Sequence, residues 1–244
     1  MDISGHTILV TGGASGIGFA LAERFLGAGN TVILCGRRAD KLEEAHGKHR
    51  ALRTHVCDVA DAEHRVELTE WVFSEFPELD VLINNAGIQN RLQLAENPGW
   101  PAMHKEIATN LEAPIHLSTL FAPRLAKRPN AAILNVTSGL AFVPRTAVPV
   151  YCATKAAMRS FTLSLRHQLA DTSVEVIEII PPAVDTDLGG VGLHTFGVPL
   201  EDFVDSAFEQ LREGKREVTY GFSVQSMNAS AEERGVLFEQ MNSH

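Results

Sequence analysis

A chain of 244 residues is long enough for one large α/β domain and short for two. Its 21 Lys and Arg against 30 Asp and Glu leave a formal charge of -9, which excludes nucleic acid and an anionic membrane surface as main partners, since both select a net basic face. No apolar run approaches the roughly 20 residues of a membrane span, and Cys35, Cys57 and Cys152 lack CxxC spacing, so neither a disulfide framework nor a metal site is expected.

The opening MDISGHTILVTGG runs directly into a strand pattern, without the basic and apolar regions or cleavage site of a secretory leader. With three reduced thiols, a cytoplasmic protein is the expectation. Short β-branched runs predict strands at Thr7–Thr11, Thr31–Cys35, Thr54–Cys57, Val81–Asn84, Ala132–Val136 and Val174–Ile180. Helix-length segments separate them: Gly16–Ala28, Lys41–His49, Glu63–Phe76, Trp100–Leu125 and Tyr151–Ala170. Strands apolar on both faces and alternating with helices argue for a doubly wound parallel sheet, Rossmann-type, in three αβα layers. The whole of 1–244 reads as a single domain. Thr186–Pro199 is irregular and carries Gly189, Gly190, Gly192 and Gly197. Leu193 and Phe196 within it both want burial, so about 186–213 is read as a substrate lid and helix. The segment 214–244 is read as a C-terminal strand and a helix at Ala231–Met241.

The first strand enters Thr11-Gly12-Gly13-Ala14-Ser15-Gly16-Ile17-Gly18. Glycines 12, 16 and 18 permit a tight turn, a close phosphate approach and close helix–strand packing. The following helix N-terminus offers free N–H groups to a pyrophosphate. A dinucleotide is therefore the expected cofactor. The second strand ends Gly36-Arg37-Arg38, with glycine where an NAD site places the acid that holds the ribose hydroxyl. Two guanidinium forks suit a 2′-phosphate, so NADP is favoured and NAD remains possible. Asp40 reads as a helix N-cap rather than as that acid.

Tyr151 and Lys155 are four apart at a helix start and share a face. Moving a phenol from about pH 10 to about 7 takes roughly 4 kcal/mol. A cation about 4 Å away at an effective dielectric near 20 supplies about that much. Ser138 follows the apolar strand AAILNV, at the carboxyl edge where ligands sit in this architecture, and can hold a substrate oxygen; a turn serine is the other reading. Asn110 lies mid-helix in EIATNLEAP, a poor place for asparagine, so it is read either as binding backbone or a relay water, or as exposed.

Taken together, Thr11–Gly18, Asn84-Asn85-Ala86-Gly87, Asn110, Ser138 and Tyr151/Lys155 resemble the short-chain dehydrogenase/reductase family, over roughly residues 5–187. Within it, NNAGIQ, VTSGLAF, VYCATKAA and the FEQMN ending most resemble the DltE-type oxidoreductases. The resemblance implies Tyr151 as acid–base, Lys155 lowering its pKa and bonding the nicotinamide ribose, Ser138 orienting substrate and Asn110 supporting a proton relay. It also implies cofactor contacts from Asn85, Ala86 and Gly87, from Asp58 and Val59 at the adenine, and from Val184 and Thr186 at the carboxamide. Pro182 stands where the family usually has glycine, and the family's glycine-rich last strand is absent.

The expected activity is hydride transfer between NADP(H), or NAD(H), and a small-molecule carbonyl or secondary alcohol. A non-catalytic dinucleotide-binding regulator and an isomerase or dehydratase on the same fold are the alternatives. His46 and His49 read as a solvated helix face, Arg145 and His194 as exposed loop residues, and Leu117, Phe121, Phe161 and Leu165 as core or helix interface. Spare apolar stripes on Trp100–Leu125 and Tyr151–Ala170 predict a homodimer or homotetramer.

Overall fold

The computed structural model describes residues 1–243. Seven parallel strands form one sheet: β1 (Thr7–Thr11), β2 (Thr31–Gly36), β3 (Arg53–Val56), β4 (Val81–Asn84), β5 (Ala131–Val136), β6 (Val174–Ile180) and β7 (Glu217–Thr219). Their order is β3-β2-β1-β4-β5-β6-β7. It reverses direction between β1 and β4, and a crevice opens there at the strand ends. The helices are α1 (Gly16–Gly27), α2 (Ala39–Lys48), α3 (Ala62–Glu75), α4 (Trp100–Ile107), α5 (Ala113–Leu125), α6 (Pro149–Gln168), α7 (Leu200–Arg212), α8 (Phe222–Asn228) and α9 (Ala231–Asn242).

Alternation along each strand sorts the core into two layers. Ile8 and Val10 face one way, with Val32, Leu34 and Ile83, and pack under α1 and α7. Leu9 and Ile33 face the other way and pack under α3 and α5, through Phe73, Leu117 and Phe121. Both faces of the sheet are thereby covered, as the apolar central strands require. Phe25 is completely buried and meets the Phe208 ring edge-on at 5.2 Å; Phe25→Ala would cost about 3–5 kcal/mol.

A chain of buried polar groups crosses the second layer. Asn84 Nδ2 donates to Asn135 Oδ1 at 2.9 Å, and Asn135 Nδ2 donates to Thr162 Oγ1 on α6 at 3.0 Å. Buried amides are costly unless bonded, so this chain fixes how α6 sits on β4 and β5.

Three expectations need correction. The long helix over Trp100–Leu125 is interrupted by a π turn at Ala108–Glu112. Pro114 cannot donate to the carbonyl of Asn110, four residues back, and the helix widens there. Asp40 lies inside the first turn of α2, whose N-cap is Arg38. Asp61 is instead a true cap, accepting from Glu63 and His64 N–H at 2.8 and 3.3 Å. The C-terminal segment holds the expected strand and helix but also α8, and its residue 244 lies outside the described residues.

Candidate active site

At the crevice a cavity of about 1440 Å³ runs along the carboxyl ends of the strands. That exceeds the roughly 300–1,000 Å³ of a drug-sized pocket. Gly12, Ser15, Gly16, Ile17 and Gly18 line one end. Gly12 has φ +62°, and a Cβ there would lie 2.8 Å from Ala86 Cα; one on Gly18 would lie 2.2 Å from Asn85 Nδ2. Only glycine fits these contacts. The Asn85–Gly87 loop is bonded directly onto the turn, with Asn85 Nδ2 donating to Thr11 and Gly12 carbonyls at 2.9 and 3.1 Å. Asn85 and Ala86 N–H groups both donate to Thr11 Oγ1, at 3.0 and 3.1 Å. Ser15 caps α1 without a side-chain bond, so the first N–H groups of the helix are left for a ligand. The cradle suits an anionic phosphate.

Arg37 and Arg38 are exposed beside this cradle and line the cavity with Gly36. Arg38 Nη2 donates to Ser15 Oγ at 2.9 Å, which ties its guanidinium to the turn. Lys41, which the motif reading passed over, lines the same wall and is paired with Glu44 at 2.8 Å. Asp58 and Val59 follow β3 along the cavity. Asp58 Oδ2 lies 3.8 Å from Lys105.

The other end brings Ser138, Tyr151 and Lys155 together, and all three are nearly buried at 6, 6 and 4% exposure. Lys155 Nζ stands 5.6 Å from the Tyr151 ring centre and donates to Val136 O at 2.8 Å. Ser138 Oγ accepts from Leu140 N–H at 3.1 Å, so the turn role and the cavity position coexist. The expected acidification of Tyr151 is not a property of the protein alone. Burial pushes its phenol up, opposed by the Ser138 hydroxyl. Burial also brings Lys155 down to about 8. The ammonium faces a carbonyl and the tyrosine ring, so in this state it adds little to hold a phenolate.

Asn110 does not reach the cavity wall and is not exposed either. It sits in the π turn, 1% exposed, accepting from Ile88 N–H at 2.9 Å and donating to Ile88 O at 2.8 Å. It thus clamps the loop after β4. Gly87 lies between its Oδ1 and Lys155 Nζ, at 3.5 and 3.8 Å from where a Cβ would be. Glu106, fully buried, holds the same loop by accepting from Asn90 N and Nδ2, both at 3.2 Å. Burial raises its pKa.

Val184 and Thr186 line the cavity after β6, past Pro182. The loop beyond them is closed at its neck. Val198 N–H donates to Ala183 O and Asp185 N–H to Val198 O, both at 2.9 Å. Leu193 and Phe196 are not buried as expected but are 37 and 61% exposed. Beyond the neck, Leu188 packs against Val148, Tyr151 and Cys152, and the Phe196 ring is covered on one side by the Arg145 guanidinium at 5.6 Å. Arg145 and His194 depart from expectation in the opposite sense. Both are half-buried and line the cavity, because the loops carrying them fold over its mouth. Their signal in the sequence was no more than a cation and an imidazole on loops. His46 and His49 point elsewhere, to Leu52 O at 3.0 Å and Glu23 at 2.7 Å. Among the described residues, no helix is long and apolar enough to cross a membrane.

The short chain dehydrogenase family model matches residues 6–191. The oxidoreductase DltE of Bacillus subtilis strain 168 is 48% identical over 248 residues, covering 99% of this chain and 98% of that protein. The NADP-dependent 3-hydroxy acid dehydrogenase YdfG of Salmonella typhi is 32% identical over 180 residues, 72% of each. A short chain dehydrogenase from Burkholderia cenocepacia J2315, solved in complex with NADP, superposes with a TM-score of 0.86 at 26% identity, covering 100% of both chains.

Proposed function

The chain belongs to the short-chain dehydrogenase family and is an oxidoreductase, and from that premise we propose that it transfers hydride between NADP(H) and a carbonyl or secondary alcohol, with Tyr151 as the acid–base group. The observation that carries this reading is the meeting of Tyr151, Lys155 and Ser138 in the same cavity as the glycine cradle. Gly12, Ser15, Gly16, Ile17 and Gly18 would hold the pyrophosphate, and Arg37 and Arg38 the 2′-phosphate. Asp58 and Val59 would face the adenine; Asn85, Ala86, Gly87, Val184 and Thr186 would border the nicotinamide. The Salmonella and Burkholderia relatives named for NADP support that choice over NAD. When bound, the dinucleotide supplies or takes the hydride.

The remaining work falls to side chains. Ser138 Oγ orients the substrate oxygen toward Tyr151. Tyr151 is protonated at neutral pH as any phenol is, the form needed to give a proton in reduction, and burial pushes its pKa further up. Lys155 would bond the nicotinamide ribose and, drawn toward the phenol, stabilise the phenolate left behind. Asn110 holds Ile88 and with it Gly87 against Lys155, and a water-linked relay would pass along that side. The loop 186–199 would close over substrate as a lid. A homodimer or homotetramer through α4, α5 and α6 would cover Trp100 and Leu163, 62 and 43% exposed; light scattering giving a monomer would refute it.

Calorimetric titration with NADPH and NADH, followed by a carbonyl screen of wild type and Tyr151→Phe, tests the reading. NADPH should bind more tightly and be consumed, with the rate abolished in the variant. Turnover of a substrate without net NADPH consumption would favour an isomerase or dehydratase instead.

A further inference from the structure

The cavity's substrate end holds three ionisable side chains that no step above uses, and they are gathered by the fold. Leu92 N–H donates to Ala147 O at 3.1 Å, joining the loop after β4 to the loop before α6. Arg91 and Arg145 therefore stand on neighbouring loops, and both line the cavity with Ser138 and Tyr151. The third group comes from the loop 186–199. His194 lines the same space, and its Nδ1 is buried without a hydrogen-bond partner. Burial holds its imidazole below the ordinary value, against a backbone hydrogen bond at Leu188. The charges of Arg91 and Arg145 push the same way as burial and that of Asp185 opposes them, so all three groups lie within electrostatic reach of it.

Some of the other arginines in this acidic chain are partnered by carboxylates. Arg24 meets Asp205 and Glu201, Arg159 meets Glu178 and Glu217, and Arg212 meets Glu209. Among the described residues no carboxylate lies within 4.0 Å of Arg91 or Arg145. Asp185 and Asp187 also line the cavity; like Arg91 they are exposed, and they pair with neither arginine. Two unpaired guanidiniums at one cleft mouth, in a protein of net charge -9, are arranged for an incoming anion.

Arg145 is also held with unusual care. Its N–H donates to Cys152 Sγ at 3.3 Å and its carbonyl accepts from the same thiol at 3.6 Å, one residue from Tyr151. On either side of it, Asn242 at the end of α9 accepts from Thr146 N–H at 2.8 Å and donates to Pro144 O at 3.1 Å. The last helix thus positions the loop that carries the arginine.

We propose that the substrate carries an anionic group, a carboxylate in the first instance, which Arg145 binds in bidentate fashion while Arg91 and the His194 imidazole flank it. Asn242 acts as a positioning residue for Arg145. This inference rests on the reductase reading and names its substrate class.

Matched pairs test it: 4-oxobutanoate against butanal, and 3-oxobutanoate against its ethyl ester, each followed by NADPH consumption. In at least one pair kcat/KM for the acid should exceed that of the neutral partner by about tenfold or more. In Arg145→Ala that ratio should fall to near one, chiefly through KM; Arg145→Lys should keep part of it and Asn242→Ala should reduce it. Equal kcat/KM within both pairs, or a ratio unchanged by Arg145→Ala, overturns the proposal. Should no carbonyl be reduced at all, the reductase reading fails, and the anion site is judged by calorimetry with succinate and NADP. Binding lost in Arg145→Ala then supports the site, and absence of binding to wild type overturns it.

Discussion

Lys155→Met should make the unliganded protein more stable near neutral pH while removing its activity. Lys155 is 4% exposed and its ammonium bonds one carbonyl, Val136 O, at 2.8 Å. Burial brings its pKa from 10.5 to about 8. The folded protein therefore releases this proton before the unfolded chain does. Between about pH 8 and 10.5 the unfolded state binds more protons, so this group's contribution to stability rises with pH. The gap of about 2.5 units corresponds to about 3 kcal/mol of destabilisation, fully present below about pH 8 and relieved by about pH 10.5. Methionine has similar bulk and no charge, but it leaves Val136 O without its donor, which costs about 1 kcal/mol. A net gain of about 2 kcal/mol remains, or about 4–8 °C in Tm for a chain of this size. Urea unfolding of both proteins at about pH 7 and about pH 9.5 measures it. The reasoning is refuted if the variant is the weaker protein at neutral pH, or if its advantage does not shrink in the alkaline measurement. A buried cation kept at such a cost is what a functional site, rather than a structural one, retains.

Other expectations concern separate parts of the molecule. Arg38→Ala removes the guanidinium tied to Ser15, and should raise the NADPH Kd by about tenfold or more while leaving NADH binding nearly unchanged; equal losses for both would locate its role in the turn itself. Gly18→Ala forces a Cβ to 2.2 Å from Asn85 Nδ2, so thermal unfolding should show a clear loss of Tm and calorimetry a loss of dinucleotide binding. Arg159→Ala leaves Glu178, fully buried and bonded at its other oxygen to Thr137 at 2.7 Å, without its cation. Chemical denaturation should register about 3–5 kcal/mol, and a change below about 1 kcal/mol would mean that water reaches Glu178 in its place.

The central strands were legible because they are short apolar runs buried on both faces, and the structure places β1, β4 and β6 at the expected residues; β3, at the sheet edge and largely exposed, lies one residue before its expected place. Period and burial agree there. The π turn was not legible, since its cause is an interaction between Pro114 and a helix otherwise regular on both sides. The helix α8 escaped because FSVQSMN is too short and too polar to show a period. At the site, spacing alone brought Tyr151 and Lys155 to one face and carried the glycine turn to the crevice. The surroundings of Arg145 and His194 were beyond reach, because a loop residue's neighbours are set by contacts distant in sequence, here Ala147 with Leu92 and Thr146 with Asn242. Burial is equally invisible in a motif, and in the unliganded protein it pushes the Tyr151 phenol up and the Lys155 ammonium down.

The amide chain from Asn84 through Asn135 to Thr162 has a consequence for how finely the chemistry is aimed. Grease against grease tolerates sliding, and a helix displaced by one residue moves about 1.5 Å along its axis and turns by about 100°. Such a slip of α6 would swing its first turn, with Tyr151 and Lys155, off the cleft. It would also strand three polar groups in the interior. The asparagines therefore act as an index pin, giving the reactive end of the helix a single angular setting even though they lie far from any reacting atom.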